Sequence, residues 1–384
     1  MPIADIHASD PALMRLNDMA SAPTDTLATP RSASAPRLWR PRRVVATRSA
    51  LEWEHGRAIV ARVEALGIAV ERLATDRLAL AQPEDPRAAY ALAKQTLAIV
   101  VAPPSKRRPQ PIAPSADWRI DLAEGCPAHC SYCYLAGSLK GPPITRAYAN
   151  LPEIWAELPP RLGQGAVTSR SAARAHEGTT FEASCYTDPL ALEHLTGSLS
   201  ATIAWFGAWD ADVQLRFTSK FAAVDPLLSL DHHGRTRMRA SVNPARFARF
   251  EGGTDPVAQR LAALARMGRA GYPLGLTIAP IIAVEGWEQA YGDLIGQVAA
   301  LLADAPDLTI ELITHRYTPG SKAVLDGWYP GSALDMTGAQ RSEKRTKFGS
   351  VKHVYDAATM RDLRAFFQMR IARDLPQARI LYWT

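Results

Sequence analysis

The feature that most constrains the fold is a regular alternation of short β-rich runs with amphipathic helical stretches, which begins at Trp118. Parallel strands need crossover connections of this kind, so the pattern predicts parallel strands joined by helices. Six such repeats suit a doubly wound sheet or an incomplete barrel, and both are α/β folds. The strand segments are residues 118–122, 179–185, 213–219, 236–242, 274–280 and 308–314, and the clearest helical segments are residues 195–209, 255–271 and 287–305.

The rest of the chain divides into segments of different composition. Residues 1 to about 35 are rich in Ala, Ser, Pro and Thr and show no apolar period, so we predict a disordered leader over 1–35. Residues 36–115 alternate strand and helix signals and end in a Pro-rich basic loop, which predicts a small N-terminal α/β domain. The repeats then occupy 116–384.

Length and composition exclude several classes of protein. A chain of 384 residues with 47% hydrophobic content can bury a core of enzyme size. No run approaches the roughly 20 apolar residues that span a bilayer, and the first residues lack the pattern of a signal peptide. We therefore expect a cytoplasmic protein without a membrane partner. The net charge of +6 permits a nucleic-acid partner, although a solvated basic surface is the commoner explanation of such a charge.

Three of the four cysteines, Cys126, Cys130 and Cys133, form a C-x3-C-x2-C triplet. Iron–sulfur clusters are usually held by four thiolates, so a loop that offers three leaves one iron with an open coordination position. Structural zinc usually takes two separated ligand pairs, so the compact triplet favours a cluster. Two alternatives stay open: a zinc site that adds His129 or another histidine, and a saturated electron-transfer cluster that adds Cys185.

Polar and thiol residues lie where four successive predicted strands end. The cysteine triplet follows the first strand, Cys185 closes the second, Lys220 follows the third, and Asn243 follows the fourth. The chemistry of a parallel barrel takes place at the C-terminal ends of its strands. We therefore expect these residues to share one site.

The stretch GCPAHCSYCYL, residues 125–135, resembles the signature of radical S-adenosylmethionine (SAM) enzymes. Further segments resemble, in order, the spore photoproduct lyase family, and the similarity extends from Arg42 to about Tyr355. The resemblance implies a partial (β/α)6 TIM-type barrel of the radical SAM type, preceded by a small N-terminal α/β unit. The further segments are residues 181–199, 216–221, 237–244, 270–281, 285–288 and 311–322.

The resemblance also implies an activity. It predicts a radical SAM lyase that reverses a UV-induced thymine crosslink of the spore photoproduct type in DNA. The three loop cysteines would hold a [4Fe-4S] cluster, and S-adenosyl-L-methionine would bind the fourth iron and give a 5′-deoxyadenosyl radical. The implied partners are UV-damaged DNA and an external electron donor such as flavodoxin or ferredoxin.

The family chemistry gives roles to further residues. Cys185 is expected to be catalytic and to quench the final thymine radical by giving it a hydrogen atom, although a free cysteine is often only a small core residue. Tyr132 and Tyr134 are expected to pass that hydrogen atom on toward the adenosyl group, or else to pack around the loop. Tyr132 is also expected to pack near the cofactor's adenine.

Cofactor binding is expected from three more residues. Lys220 resembles the family lysine that meets the methionine carboxylate of the cofactor, as a point charge would. Ser241 and Asn243 match the strand that lines the cofactor, and strand-end capping explains them equally well. Two departures from the pattern stand out: Thr187 replaces a serine of some relatives, and the Gly-Gly-Glu stretch of the superfamily is absent from the second strand.

The resemblance places a DNA-engaging hairpin near residues 340–355, where cations alternate with aromatic rings. That mixture suits phosphates and an extruded lesion, although most charged runs are solvated loops. A lesion inside a duplex must be flipped out to reach a buried site. The DNA-binding candidates are Arg341, Lys344, Arg345, Lys347 and Tyr355.

Two other functions remain open at this point. One is a radical SAM enzyme of the same fold that acts on RNA, a peptide or a small molecule. The other is a non-catalytic metal-binding or iron–sulfur protein. Damage-specific DNA binding separates the first from DNA repair, and metal analysis separates the second.

Overall fold

The six β-rich runs all form strands, and these strands make up the centre of the large sheet. The computed structural model describes residues 35–78, 83–134, 136, 143–168, 170–172, 174–338, 341–345 and 351–384. All of the predicted leader except Ala35 lies outside the described residues, as does Lys347. From Pro36 to Thr384 the chain forms one compact unit.

Strands and helices alternate along most of the chain. The strands are β1 Arg43–Ala46, β2 Val70–Arg72, β3 Thr96–Val100, β4 Gln110–Ile112, β5 Ala116–Ile120, β6 Ala123–Glu124, β7 His129–Cys130, β8 Thr145–Tyr148, β9 Thr179–Ala183, β10 Val213–Ser219, β11 Thr236–Val242, β12 Glu251–Gly252, β13 Leu274–Ile281, β14 Thr309–Thr314, β15 Arg341–Arg345, β16 Val351–Tyr355 and β17 Arg379–Trp383. The helices are α1 Glu54–Ala65, α2 Pro86–Lys94, α3 Pro104–Arg107, α4 Leu151–Trp155, α5 Pro189–Thr196, α6 Ser198–Ala208, α7 Val257–Arg269, α8 Trp287–Leu302, α9 Pro319–Trp328 and α10 Ala357–Asp374. In the described part of the chain, no helix is long and apolar enough to cross a membrane.

The large sheet has the strand order β17-β14-β13-β11-β10-β9-β5-β4. The six predicted strands are parallel neighbours, which confirms the prediction of parallel strands joined by helices. They are β5, β9, β10, β11, β13 and β14. Two strands of this sheet were not predicted. Strand β17 pairs in parallel with β14 at one edge, and β4 pairs antiparallel with β5 at the other edge.

Buried charges on the inner face show how strongly this sheet curls. Arg239 on β11 forms ion pairs with Glu182 on β9 and Glu311 on β14, each two strands away. Neighbouring strands lie about 4.8 Å apart, so strands two apart are separated by about 10 Å in a flat sheet. Ser115, just before β5, donates a hydrogen bond of 3.1 Å to Glu311, although four strands lie between β5 and β14. The sheet is therefore a partial barrel, as the resemblance implied.

A second sheet, of order β2-β1-β3-β8-β6, explains where the cysteines lie. Its strands β1, β2 and β3 are those predicted for the N-terminal unit, and all three run parallel. Strands β6 and β8 come from the two sides of the cysteine triplet and lie beyond residue 115. The boundary at 115 stays a prediction, and the second sheet takes strands from both sides of it.

The helix predicted over residues 195–209 is two helices, α5 and α6, in the structure. Gly197 separates them with a φ of 63°, a left-handed conformation that glycine adopts without a steric penalty. A Cβ at this position would also lie 2.8 Å from the guanidinium of Arg62. The apolar periodicity continues across this break, which is why the sequence predicted a single helix.

Candidate active site

The cysteine loop, defined as residues 125–134, is anchored on two sides. Gly125 begins it with a φ of 75°, and a Cβ there would lie 2.3 Å from the carbonyl oxygen of Ile144. Only glycine therefore fits this turn beside β8. Further along the loop, β7 pairs with β12 in antiparallel fashion, which sets Cys130 opposite Glu251.

The three thiols of the cysteine loop line a cavity of about 410 Å³, which we call the barrel cavity. Burial raises the pKa of Cys126 to about 11 and the pKa of Cys130 to about 12. A coordinated iron reverses this preference, because its positive charge deprotonates a thiol ligand. Three soft sulfur donors on one wall of a cavity match the ligand set of an iron–sulfur cluster.

The zinc alternative fits this arrangement less well. His129 does not line the barrel cavity; its Nδ1 lies 3.3 Å from the hydroxyl of Tyr90, and the two rings meet edge to face at 6.1 Å. Across the described ranges, no three His, Cys, Asp or Glu side chains are grouped to hold one ion. A cubane cluster takes one thiolate per iron, so its ligands surround a body several atoms wide.

A buried lysine supports the cysteine loop from behind. The ammonium of Lys94 donates hydrogen bonds to the carbonyl oxygens of Cys126 and Ala128, and the residue is 6% exposed. Lys94→Met should keep the packing but leave both carbonyls without a donor, which lowers the free energy of unfolding by about 3 kcal/mol. The reconstituted variant should also release iron faster. Urea unfolding and iron content after anaerobic gel filtration measure the two effects.

The matched control is Lys106→Met, which removes a partly exposed ion pair with Glu124. Exposed pairs of this kind contribute about 0–1 kcal/mol, so its unfolding and iron content should stay near those of the native protein. Equal behaviour of the two variants would contradict a supporting role for Lys94.

Cys185 lies in the same cavity because of an unusual backbone turn. After β9 ends, Ser184 has a φ of 56°, which a residue with a side chain rarely adopts. Two hydrogen bonds hold this conformation: the Ser184 N–H donates to Ile120 at 2.7 Å, and its Oγ accepts from the Leu122 N–H at 3.0 Å. Backbone strain of this kind is concentrated at functional sites.

The surroundings of Cys185 keep its sulfur protonated. Burial raises the pKa of this thiol to about 12, and the nearby carboxylate of Asp121 adds to the shift. At neutral pH the side chain therefore carries an S–H bond and not a thiolate. A donor of hydrogen atoms needs that bond.

The two tyrosines of the cysteine loop both line the barrel cavity but differ in their contacts. Tyr132 is buried, and its hydroxyl donates a hydrogen bond to Glu251. Tyr134 is 37% exposed, and the guanidinium of Arg316 lies 5.4 Å from the centre of its ring. The hydrogen of Tyr132 is therefore engaged by a carboxylate. Of the predicted pair, Tyr134 is the phenol with more freedom to exchange a hydrogen with a group in the cavity.

Lys220 has an acceptor for each of its three N–H donors. Its Nζ lies 2.7 Å from Ser241 Oγ and 3.2 Å from Glu251 Oε1. The carbonyl oxygen of Ala279 is the third acceptor, at 3.3 Å. Ser241 lines the barrel cavity with Lys220, whereas Asn243 lies behind it, with its Nδ2 at 3.4 Å from Glu251. A cofactor carboxylate would meet Lys220 by replacing one of the neutral acceptors.

The sequence analysis missed Glu251, which connects the predicted residues. Burial alone would raise its pKa, but the charges of Lys220 and Arg260 outweigh burial and lower the pKa to about 2. Arg260 contacts its second oxygen at 2.6 Å. Glu251 thus accepts hydrogen bonds from Tyr132, Lys220 and Asn243 as a fixed anion. It lies on a strand of two residues, which leaves no periodic signal in the sequence.

His315 was also missed, and it lies in the wall of the barrel cavity. Arg341 donates to its Nδ1 at 2.9 Å and to its carbonyl oxygen at 2.7 Å. Because arginine has no acceptor, Nδ1 must accept and the ring proton must sit on Nε2. Burial, followed by the charge of Arg341, lowers the pKa of His315 to about 3, so the ring is neutral. Its Nε2 has no hydrogen-bond partner among the described residues.

The hairpin expected to engage DNA forms as β15 and β16. Tyr355 is buried within it, and the guanidinium of Arg341 lies 3.8 Å from the centre of its ring. Lys344 and Arg345 are exposed, and Lys347 lies outside the described residues. Arg341 and Tyr355 thus join the hairpin to the barrel, while Lys344 and Arg345 remain on the surface. Contact with DNA stays a prediction for all five.

Comparison with known proteins gives a consistent result. Residues 39–384 match the family model for "Spore photoproduct lyase". The spore photoproduct lyase of Geobacillus sp. (strain Y412MC61) is 37% identical over 340 residues, which cover 87% of this chain and 96% of the relative. That of Bacillus subtilis (strain 168) is 36% identical over 339 residues, with the same coverage. A solved structure of a mutant spore photoproduct lyase with bound AdoMet and dinucleoside spore photoproduct matches with a TM-score of 0.82 and 34% identity, covering 91% of this chain and 100% of that one.

Proposed function

The chain belongs to the spore photoproduct lyase family, and from this premise we propose that it restores two thymines from spore photoproduct in DNA. It is a radical SAM lyase whose cofactors are a [4Fe-4S] cluster and S-adenosyl-L-methionine. One observation carries the proposal: the three loop thiols, Cys185, Tyr134 and Lys220 line a single cavity at the ends of the barrel strands.

Different residues of the barrel cavity bind the two cofactors. Cys126, Cys130 and Cys133 are the cluster ligands, and Lys220 is the cation for the methionine carboxylate. When bound, the two cofactors supply a 5′-deoxyadenosyl radical that takes a hydrogen atom from the lesion. Glu251 fixes the position of Lys220, and so keeps a positive charge where the carboxylate binds.

Cys185 completes the reaction on the substrate side. Once the crosslink has opened, a thymine radical would need one hydrogen atom, and Cys185 offers the weak S–H bond of a thiol that is not assigned to the cluster. Tyr134 lines the same cavity and is the residue we assign to return a hydrogen atom from 5′-deoxyadenosine to the sulfur of Cys185, which would lose its own to the thymine radical. No net oxidation results, because the hydrogen taken from the lesion is matched by the hydrogen given to the product.

Two further proposals concern the surroundings of the enzyme. An external one-electron donor such as flavodoxin or ferredoxin reduces the cluster, because SAM cleavage consumes an electron. We also place the protein in the cytoplasm, where reducing conditions preserve free cysteines and iron–sulfur clusters.

We propose that the Nε2–H group of the neutral His315 ring donates a hydrogen bond to a carbonyl oxygen of the lesion's pyrimidine rings. His315→Phe removes this hydrogen bond, which should weaken binding of a dinucleoside spore photoproduct about tenfold. Isothermal titration of the cluster-loaded protein with that dinucleoside measures the change. The control, His353→Phe, keeps the ring stacked on Tyr317 outside the cavity and should bind as the native protein does. Unchanged affinity in His315→Phe would remove this assignment.

Product analysis tests the proposed function. The anaerobically reconstituted protein is incubated with SAM, a reductant and an oligonucleotide that contains one spore photoproduct, and the nucleosides are separated by mass spectrometry. We expect restored thymidine and no lesion. SAM cleavage with an intact lesion would show that the radical acts on another substrate, such as RNA, a peptide or a small molecule.

A further inference from the structure

A second cavity, of about 410 Å³, also borders the cysteine loop and shares no lining residue with the barrel cavity. Ser131, between two of the cluster ligands, lines this second cavity, whereas the cysteines themselves line the barrel cavity. We name the surface around it the arginine face and define it by Arg87, Ser131, Arg249, Trp328 and Tyr329. The structure assigns the arginine face to the docking of an acidic one-electron carrier protein, an inference that rests on the proposed function because SAM cleavage needs a reductant.

A short series of aromatic contacts joins the arginine face to the cysteine loop. Tyr90 stacks on Trp328 with ring centres 4.4 Å apart, and its hydroxyl is hydrogen-bonded to that of Tyr329. On its other side Tyr90 meets the ring of His129 at 6.1 Å, and His129 precedes Cys130 in the chain. These rings connect the arginine face to the residue that precedes a cluster ligand.

The charges of the arginine face suit an acidic partner. Arg87 and Arg249 are both exposed, and Arg249 lies over the ring of Phe250 at 4.8 Å, which orients its guanidinium. Ser131 is 8% exposed, and its Oγ has no hydrogen-bond partner among the described residues. Within the described part of the chain, no carboxylate lines this cavity. Two exposed cations beside an apolar floor are complementary to carboxylates on a partner.

Position favours a redox protein over DNA as the occupant. The lesion has to reach Cys185 in the barrel cavity, whereas the arginine face borders the cysteine loop through Ser131 and shares no lining residue with that cavity. A carrier on the arginine face would therefore approach the cluster from the side that DNA leaves free. In the transfer, one electron leaves the reduced carrier and enters the cluster; no bond forms or breaks and no proton has to move.

The test compares two reductants on the reconstituted holoenzyme. The double variant Arg87→Glu, Arg249→Glu should lower the second-order rate constant of cluster reduction by reduced flavodoxin about tenfold or more at low ionic strength. Photoreduced 5-deazariboflavin, a small neutral reductant, should reduce the variant as fast as the native protein. Stopped-flow absorbance of the cluster measures both rates, and titration with oxidised flavodoxin measures binding without turnover.

The matched control is Arg361→Glu, Arg364→Glu, which makes the same charge change on exposed positions of α10. Equal flavodoxin rates in the two double variants would overturn the proposal. So would a selective loss of affinity for lesion-containing DNA in Arg87→Glu, Arg249→Glu with unchanged flavodoxin reduction, because DNA would then be the occupant. The milder pair Arg87→Gln, Arg249→Gln replaces the first variant if it fails to load iron. Cluster absorbance is independent of repair, so failure of the lyase activity would leave this result readable.

Discussion

Cys130→Ala should abolish repair of spore photoproduct to the level seen without enzyme. The cysteine loop contains three cysteines and no further thiol, so losing one removes a cluster ligand that the loop cannot replace. Cofactor cleavage should be lost together with repair, because both depend on the cluster. Iron and sulfide content, EPR of the reduced protein and 5′-deoxyadenosine formation measure the loss at each stage.

Cys185→Ala is the matched control for that experiment, since it removes a thiol from the same cavity without touching the cysteine loop. It should retain iron and sulfide near the native level. If Cys130→Ala and Cys185→Ala both lost the cluster, the ligand set would include Cys185, and no iron would keep an open coordination position.

Cys185→Ala is expected to change the fate of the substrate and not the start of the reaction. The variant should still form 5′-deoxyadenosine, because Cys185 lies at the end of β9 and not in the cysteine loop. Without the S–H bond, most thymine radicals should end as by-products in place of thymine. Mass spectrometry of the nucleosides, set against the amount of 5′-deoxyadenosine formed, measures the partition.

Cys185→Ser separates hydrogen-atom donation from packing. Serine nearly matches cysteine in size, but its O–H bond is too strong to give a hydrogen atom to a carbon radical. Both variants should therefore divert the product to a similar degree. Normal thymine yield in Cys185→Ser would show that the cavity needs a small polar side chain and not a thiol.

The barrel was predictable because its signal is local and repeated. Each βα unit alternates a β-rich run with an amphipathic helix, and parallel strands then bring their C-terminal ends together. This rule alone predicted one site for the cysteine loop, Cys185, Lys220 and Asn243. The structure lines one cavity with all of them except Asn243. The resemblance supplied the chemistry, and the family comparisons agree with it.

The residues that the sequence could not reveal act through contacts between distant segments. Glu251 becomes important because Tyr132 and Lys220 both need an anion, and neither lies near it in the chain. The proton on His315 depends on Arg341 from the hairpin. The spacing of residues along the sequence gives no information on contacts between segments that are far apart in the chain. The burial of Tyr355 belongs to the same class, because it depends on how the hairpin packs against the barrel.

Repair carried out in D2O tests most directly whether Cys185 gives the last hydrogen atom. A cysteine thiol exchanges its hydrogen with solvent, so the native protein should leave one deuterium in the methyl group of one thymine for each lesion repaired. The small amount of thymine formed by Cys185→Ala should lack this enrichment. Repaired thymine without deuterium from the native protein, or equal deuterium from both proteins, would contradict the assignment of Cys185 as the donor.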